Sequence, residues 1–237
     1  MKTQARVVVV GGGVVGCSVL YHLVKKGWAD VVLCERAELG SGATSHAVGH
    51  VILYTLSECI SRLVQHSVDL YSRLKEETGQ DPGFHRCGNL RLATNVDRLD
   101  EFKRYLSVAE SVGVNAHLLT PGEVKSLWPL LETRGLLGAV YNPDDGHLGG
   151  SDLARALAAG ARQGGAELYR NTKVVGFGQQ PNGEWIVQTE RGRITCEHVV
   201  SCTGNYACET LSLVGLEAHS VPVKHEYLVT ESLPELV

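Results

Sequence analysis

Arg6-Val-Val-Val-Val-Gly-Gly-Gly-Val-Val-Gly16 is a run of β-branched residues that enters a glycine turn. Val7 to Val10 read as a strand, and Val19, Leu20, Leu23 and Val24 beyond the turn repeat at helical spacing. Gly11, Gly13 and Gly16 fill the three glycine positions of G-x-G-x-x-G. The first permits a tight turn, the second lets the backbone approach a pyrophosphate, and the third lets the helix lie close on the strand. Val14 and Val15 open that helix, whose unpaired N–H groups and positive end attract phosphate. Further out, a second apolar strand, Val31-Val-Leu-Cys34, ends in Glu35, nineteen positions after Gly16. A carboxylate there accepts hydrogen bonds from ribose hydroxyls and repels the extra phosphate of NADP. Strand, turn, helix, second strand and acid together predict a dinucleotide-binding βαβ unit rather than an ordinary glycine-rich turn.

The 237 residues are 43% hydrophobic and 20% charged, which suits a globular chain of one or two domains with a sizeable core. The net charge of -4 contains no basic cluster, so neither nucleic acid nor an anionic membrane surface is an expected partner. No apolar run reaches the ~18 residues that suggest a membrane span. The first apolar run is the opening strand itself, so the start reads as mature and cytoplasmic. Seven cysteines, an odd number without a C-x-x-C pair, read as buried thiols in a reducing compartment. His50, His85, His147 and His198 lack metal spacing and are assigned to surface or packing roles, so no metal is expected. No Ser/His/Asp arrangement suggests hydrolysis, and there is no P-loop.

Along the chain, residues 36 to 49 are rich in Gly, Ser and Ala around His46, which lets a backbone pass close to a flat ligand. Helical periodicity predicts a helix from Leu56 to Thr78, ended by Gly79 and Pro82. A strand is expected over Cys87 to Thr94, a helix over Val96 to Val112, and a capped helix opening at Thr120-Pro-Gly-Glu123. Leu136 to Tyr141 reads as another strand, and Ser151 to Gly164 as an alanine-rich helix packed closely on a sheet. Ala166 to Tyr169 reads as a buried strand. Then come Lys173 to Gln179, Trp185 to Glu190 and Arg193 to Cys196, a β-meander with turns at Asn182-Gly183 and Arg191-Gly192. A separate apolar strand, His198-Val-Val-Ser-Cys-Thr-Gly204, leads to a helix from Tyr206, and Val221 to Thr230 reads as a last strand.

This pattern resembles the FAD-dependent amine oxidoreductases of the D-amino-acid oxidase superfamily, and within it dimethylglycine and sarcosine dehydrogenases. The resemblance spans the whole chain. It rests on the glycine stretch with Glu35-Arg36-Ala-Glu-Leu, on Ser41-Gly-Ala-Thr-Ser-His-Ala-Val-Gly49, on Tyr141-Asn-Pro-Asp-Asp-Gly-His147, and on His225-Glu-Tyr-Leu-Val-Thr-Glu231. The meander followed by Thr203-Gly204 is a feature that plain NAD dehydrogenases usually lack. The fold implied is α/β, an FAD-binding Rossmann-like domain with a β-meander crossover and part of an inserted α+β substrate domain. The cofactor domain would cover 1–82 and 149–218, the insertion 83–148, and a further substrate-domain segment 219–237.

Carried onto this sequence, the resemblance implies FAD contacts from Gly11, Gly13, Val14, Val15, Gly16, Glu35, Arg36, Ser41, Thr44, Ser45, His46, Val174, Thr203 and Gly204. His46 matches a histidine joined covalently to the 8α-methyl of the flavin; the alternative is an imidazole that only hydrogen-bonds nearby. Ser45 stands where these enzymes commonly carry Trp. Tyr227 and His225 are the catalytic candidates, relaying a proton as the amine becomes neutral; a packing role for Tyr227 is the alternative. Hydride would pass from a small N-methylated amino acid to flavin N5, and water would convert the iminium to formaldehyde, unless folate takes the one-carbon unit. The electron acceptor is left open. Relatives of this type run on into a longer substrate domain and a folate-binding region, so association with a further C-terminal part or partner subunit is expected. Two other readings stand beside this one: a D-amino-acid or glycine oxidase relative, and a non-catalytic flavin-binding fragment or subunit. A mitochondrial matrix location is the alternative to the cytoplasmic one.

Overall fold

A computed structural model describes residues 1–228 and residue 231. The cofactor-type unit opens with β1 (Gln4–Val10), α1 (Val14–Lys25) and β2 (Val31–Cys34), a βαβ unit at the expected positions. A short 3-10 turn, Ala43–His46, leads to β3 (His50–Val51) and α2 (Glu58–Thr78). Next come β4 (His85–Arg86), β5 (Asn89–Ala93), α3 (Val96–Val112), β6 (His117–Leu119), α4 (Pro121–Leu127), β7 (Gly138–Asn142) and β8 (Gly146–His147). The chain returns through α5 (Gly150–Gln163), β9 (Glu167–Tyr169), β10 (Val174–Gln179), β11 (Trp185–Thr189) and β12 (Gly192–Ser201), then α6 (Ala207–Ser212).

One six-stranded sheet organises the molecule, in the order β10-β11-β12-β1-β2-β9. Its central strands β1 and β2 read as continuous valine runs because both faces are covered. Val7, Val9, Val31 and Leu33 pack with Leu20 of α1 and with Leu153 and Leu157 of α5. Val8, Val10, Val32 and Cys34 face the other way, onto Val187, Ile194 and Cys196 of the meander. The closest approach of the small residues of α5 is to α1 rather than to the sheet. A Cβ on Gly160 would lie 2.7 Å from the Tyr21 ring, and one on Gly164 2.0 Å from Val24 Cγ1.

The meander differs from expectation in one respect. Arg193–Cys196 and the apolar run after it are not two strands but one, β12. Its first half pairs antiparallel with β11, while Thr195 to Ser201 run parallel to Gln4 to Val10. One strand therefore belongs both to the crossover and to the parallel core. The expected strand over Val221 to Thr230 is also corrected: residues 221–228 carry no regular secondary structure, and Val229 and Thr230 lie outside the described residues.

Residues 50 to 147 build two small antiparallel sheets, β3-β8-β4 and β5-β7-β6. Their helices start at Ser57, Asn95 and Thr120, each accepting a backbone N–H two or three positions into the helix, and Thr120 completes a capping box with Glu123. Gly79 and Gly113 close α2 and α3 in the left-handed conformation. Asp145 ties this region together. It is 1% exposed; its Oδ1 accepts from Leu53 N at 2.8 Å and its carbonyl accepts from Gly88 N at 2.8 Å. Oδ2 has no partner among the described residues, and burial pushes the carboxyl up to about 6. The cysteine expectation is met only in part: Cys17, Cys34 and Cys196 are buried, whereas Cys59 and Cys87 are exposed, and all seven are free.

Candidate functional site

The glycine turn is built from close approaches. Gly11 has φ +107°, and a Cβ there would sit 2.4 Å from the Cys202 carbonyl oxygen. A Cβ on Gly16 would lie 1.9 Å from the Gly11 oxygen, so the helix start rests against the turn itself. Gly13 is different: the one neighbour its Cβ would meet is Thr44 Oγ1, at 3.1 Å, which leaves a face open to ligand. No side chain caps α1 and no acid occupies its first turn. The N–H groups at the helix start are therefore uncapped, apart from Val14 N, which donates to Thr44 Oγ1 at 3.0 Å.

Glu35 follows β2 and turns its carboxylate onto the turn. Oε2 accepts from Gly12 N at 2.6 Å and Oε1 from Ala37 N at 2.8 Å. The acid thus fixes the loops after β1 and β2, and each oxygen keeps lone-pair capacity for a hydroxyl. Gly11, Glu35, Arg36, Val174 and Thr203 all line one cavity of about 490 Å³ at the carboxyl end of β1. Crevices at that edge, between parallel strands, are where α/β sheets bind nucleotides.

A second, larger cavity of about 1530 Å³ is lined by Ser41, His46, His225 and Tyr227, and again by Arg36. Residues far apart in sequence meet here: the loop after β2 forms one wall and the segment after α6 the other. His225 and Tyr227 are exposed, Tyr227 at 57%. The loop carrying His46 is held from below by the start of α5. Ser151 Oγ donates to Gly40 O at 3.0 Å, and a Cβ on Gly150 would lie 2.4 Å from Thr44 O. His46 Nδ1 lies 3.1 Å from the Gly42 carbonyl oxygen, which can only accept. The tautomer that donates from Nδ1 to this carbonyl is the one whose Nε2 lone pair is free. Ser45 Oγ bonds Gly42 O at 2.9 Å and sits 3.0 Å from the same Nδ1.

Not every predicted residue lines a cavity. Gly16 is a packing residue of the turn, Thr44 satisfies α1, and Ser45 steadies the His46 ring. Gly13, Val14, Val15 and Gly204 line neither cavity; Gly204, at φ +56°, shapes the bend after β12. Of the lining residues outside the expected set, two bear directly on a dinucleotide. Lys173 adds a cation to the first cavity, and Tyr206 lines both, its ring 3.8 Å from the Arg36 guanidinium. An aromatic residue just past the small-residue turn Thr203-Gly204 was the available signal for Tyr206. His50, His147 and His85, dispersed in sequence, are register partners across β3-β8-β4. Among the described residues no group of three His, Cys, Asp or Glu is arranged to hold a metal.

The open face at Gly13, the uncapped α1, the carboxylate at the end of β2 and two cavities sharing one wall fit an elongated dinucleotide. Comparison with known proteins defines the class. Residues 6–237 match the family model for FAD dependent oxidoreductases, and the chain belongs to that family.

Particular relatives sharpen the placement. Over 235 residues it is 40% identical to mitochondrial dimethylglycine dehydrogenase of Mus musculus, covering 99% of this chain and 27% of that protein. It is 37% identical to the mitochondrial pyruvate dehydrogenase phosphatase regulatory subunit of the same organism, covering 97% of this chain and 26% of that one. Among solved structures, L-proline dehydrogenase from P. horikoshii superimposes with a TM-score of 0.84 at 31% identity, over 91% of this chain and 57% of that chain. The chain thus spans about a quarter of the length of these two relatives. Among the described residues no helix is long and apolar enough to cross a membrane.

Proposed function

We propose that the chain is the cofactor-binding part of an FAD-dependent amine dehydrogenase or oxidase acting on a small N-methylated amino acid of the dimethylglycine or sarcosine type. One observation carries the reading: the cavity beside the glycine turn and the cavity holding His46, His225 and Tyr227 share the wall formed by Arg36 and Tyr206. FAD, when bound, supplies an acceptor for the hydride lost from the substrate carbon. Glu35 receives the ribose hydroxyls, α1 and Arg36 balance the diphosphate, and Val174 and Thr203 flank the adenosine end. His46 offers Nε2, with Nδ1 occupied at Gly42, as the nitrogen for covalent attachment. His225 and Tyr227 take the proton of the substrate ammonium, which frees the lone pair that assists C–H cleavage. The cofactor region is assigned to 1–82 and 149–218, with 83–148 and the segment from 219 contributing to a substrate region. The mitochondrial names of the relatives favour a mitochondrial location over the cytoplasmic expectation.

A second reading has its own support: identity to a regulatory subunit nearly equals identity to the dehydrogenase, which suits a flavin-binding module without turnover. The experiment that separates them reconstitutes the chain with FAD and records its visible spectrum before and after anaerobic dimethylglycine or sarcosine. Bleaching of the flavin band by either amine supports the dehydrogenase. A yellow protein that neither amine bleaches supports the module. Bleaching by D-alanine or glycine alone supports the oxidase alternative.

A further inference from the structure

Arg36 stands two residues beyond the end of β2, and Tyr206 five residues beyond the end of β12. These strands flank β1 on either side, Val10 being paired with both Cys34 and Ser201. The Arg36–Tyr206 contact therefore crosses the carboxyl end of β1, over the crevice floored by the glycine turn. It is also the shared wall of the two cavities. The backbone of Tyr206 is anchored: its N–H donates to Thr203 O at 3.0 Å, and Thr210 Oγ1 donates to its carbonyl at 2.8 Å. The ring is not anchored. It is 47% exposed, and its stacking partner is the guanidinium 3.8 Å away. An exposed cation–π contact biases an equilibrium only about two- to fivefold, so this one opens readily.

We propose that Arg36 and Tyr206 form a clasp across the dinucleotide crevice. It parts to admit the adenosine diphosphate half of the cofactor, then closes with its cation against the diphosphate and its ring between the adenosine and flavin compartments. The proposal rests on the FAD reading above. It adds a residue, Tyr206, and a task, retention, that the glycine motif does not supply. Stacking screens the guanidinium from water on one face, which strengthens its attraction for phosphate, and most for the greater charge of a diphosphate.

The test uses ADP and AMP as probes on the full chain, so that no flavin bond to His46 intervenes. Binding is followed by calorimetry, and release by stopped-flow displacement. Tyr206→Ala is expected to release ADP about fivefold faster, whereas Tyr206→Phe, which keeps the stack, stays within about twofold of the parent. Arg36→Gln is expected to weaken ADP more than AMP and to flatten the salt dependence of ADP binding. Nucleotide-free thermal unfolding of the three variants reports whether they fold. If the parent binds ADP and Tyr206→Ala releases it at the parental rate, the clasp is wrong while the FAD reading stands. If the parent binds no ADP, the FAD reading falls and the clasp falls with it.

Discussion

The two cavities are made in different ways. The first is walled by regular elements: the glycine turn between paired strands, a carboxylate held by two N–H groups, and side chains such as Val174, Thr203 and Tyr206 at the strand ends. The walls of the second are a 3-10 turn propped on α5 and an irregular segment, 221–228, whose side chains are all exposed. The first is suited to grip a dinucleotide cofactor. The second is suited to a substrate that enters and leaves, and it holds the candidate proton acceptors. Binding and chemistry are thus divided between a region of regular structure and an irregular one.

The division is broken most severely at the turn. Gly16→Ala pushes a methyl group against the Gly11 oxygen and is expected to cost about 3 kcal/mol or more, read by chemical denaturation, with loss of FAD binding. Gly13→Ala meets only Thr44 Oγ1, so it is expected to cost less than about 1 kcal/mol and to weaken FAD instead. Equal losses for the two variants would contradict the assignment of one glycine to packing and the other to ligand approach.

Asp145 tests the region of the two small sheets. Its folded pKa of about 6 lies above the ordinary carboxyl value, so the folded state keeps this proton longer than the unfolded chain. Its contribution to stability is full below the unfolded carboxyl value of 3.8 and is lost as the pH rises from there through about 6, by up to roughly 3 kcal/mol. Asp145→Asn is expected to flatten that slope in urea melts between about pH 4 and 7. A slope unchanged by the substitution would exclude this carboxyl as its source.

Much of the first region is legible locally. Four consecutive valines, three spaced glycines and an acid at the end of the next run need no tertiary information. The capping box at Thr120 likewise gives the start of α4. What is not legible depends on pairing. Val221, Val223, His225 and Tyr227 alternate as a strand would, yet residues 221–228 have no ladder partner among the described residues, and alternation without a partner does not make a strand. β12 reads as two strands because its neighbours change halfway along, which no local pattern records. The Tyr206 stack joins residues 170 positions apart, and sequence spacing gives no sign of it.

Smaller effects sharpen the second region. His46→Ala is expected to abolish the fluorescence that stays with the unfolded chain on a denaturing gel, while FAD still binds the folded protein. Flavin that washes out of the unmodified chain would reject the covalent assignment. Tyr227→Phe is expected to slow flavin bleaching by about tenfold or more and to shift its pH profile, with FAD affinity unchanged. A parental rate and profile would return Tyr227 to a packing role.

Electron density for FAD in crystals of the loaded chain tests the central claim most directly. The account predicts the diphosphate against the start of α1 at Gly11 to Val15, with the ring system in the cavity between His46 and Tyr227. Density for the flavin ring on the far side of the sheet, or a diphosphate away from the glycine turn, would contradict it.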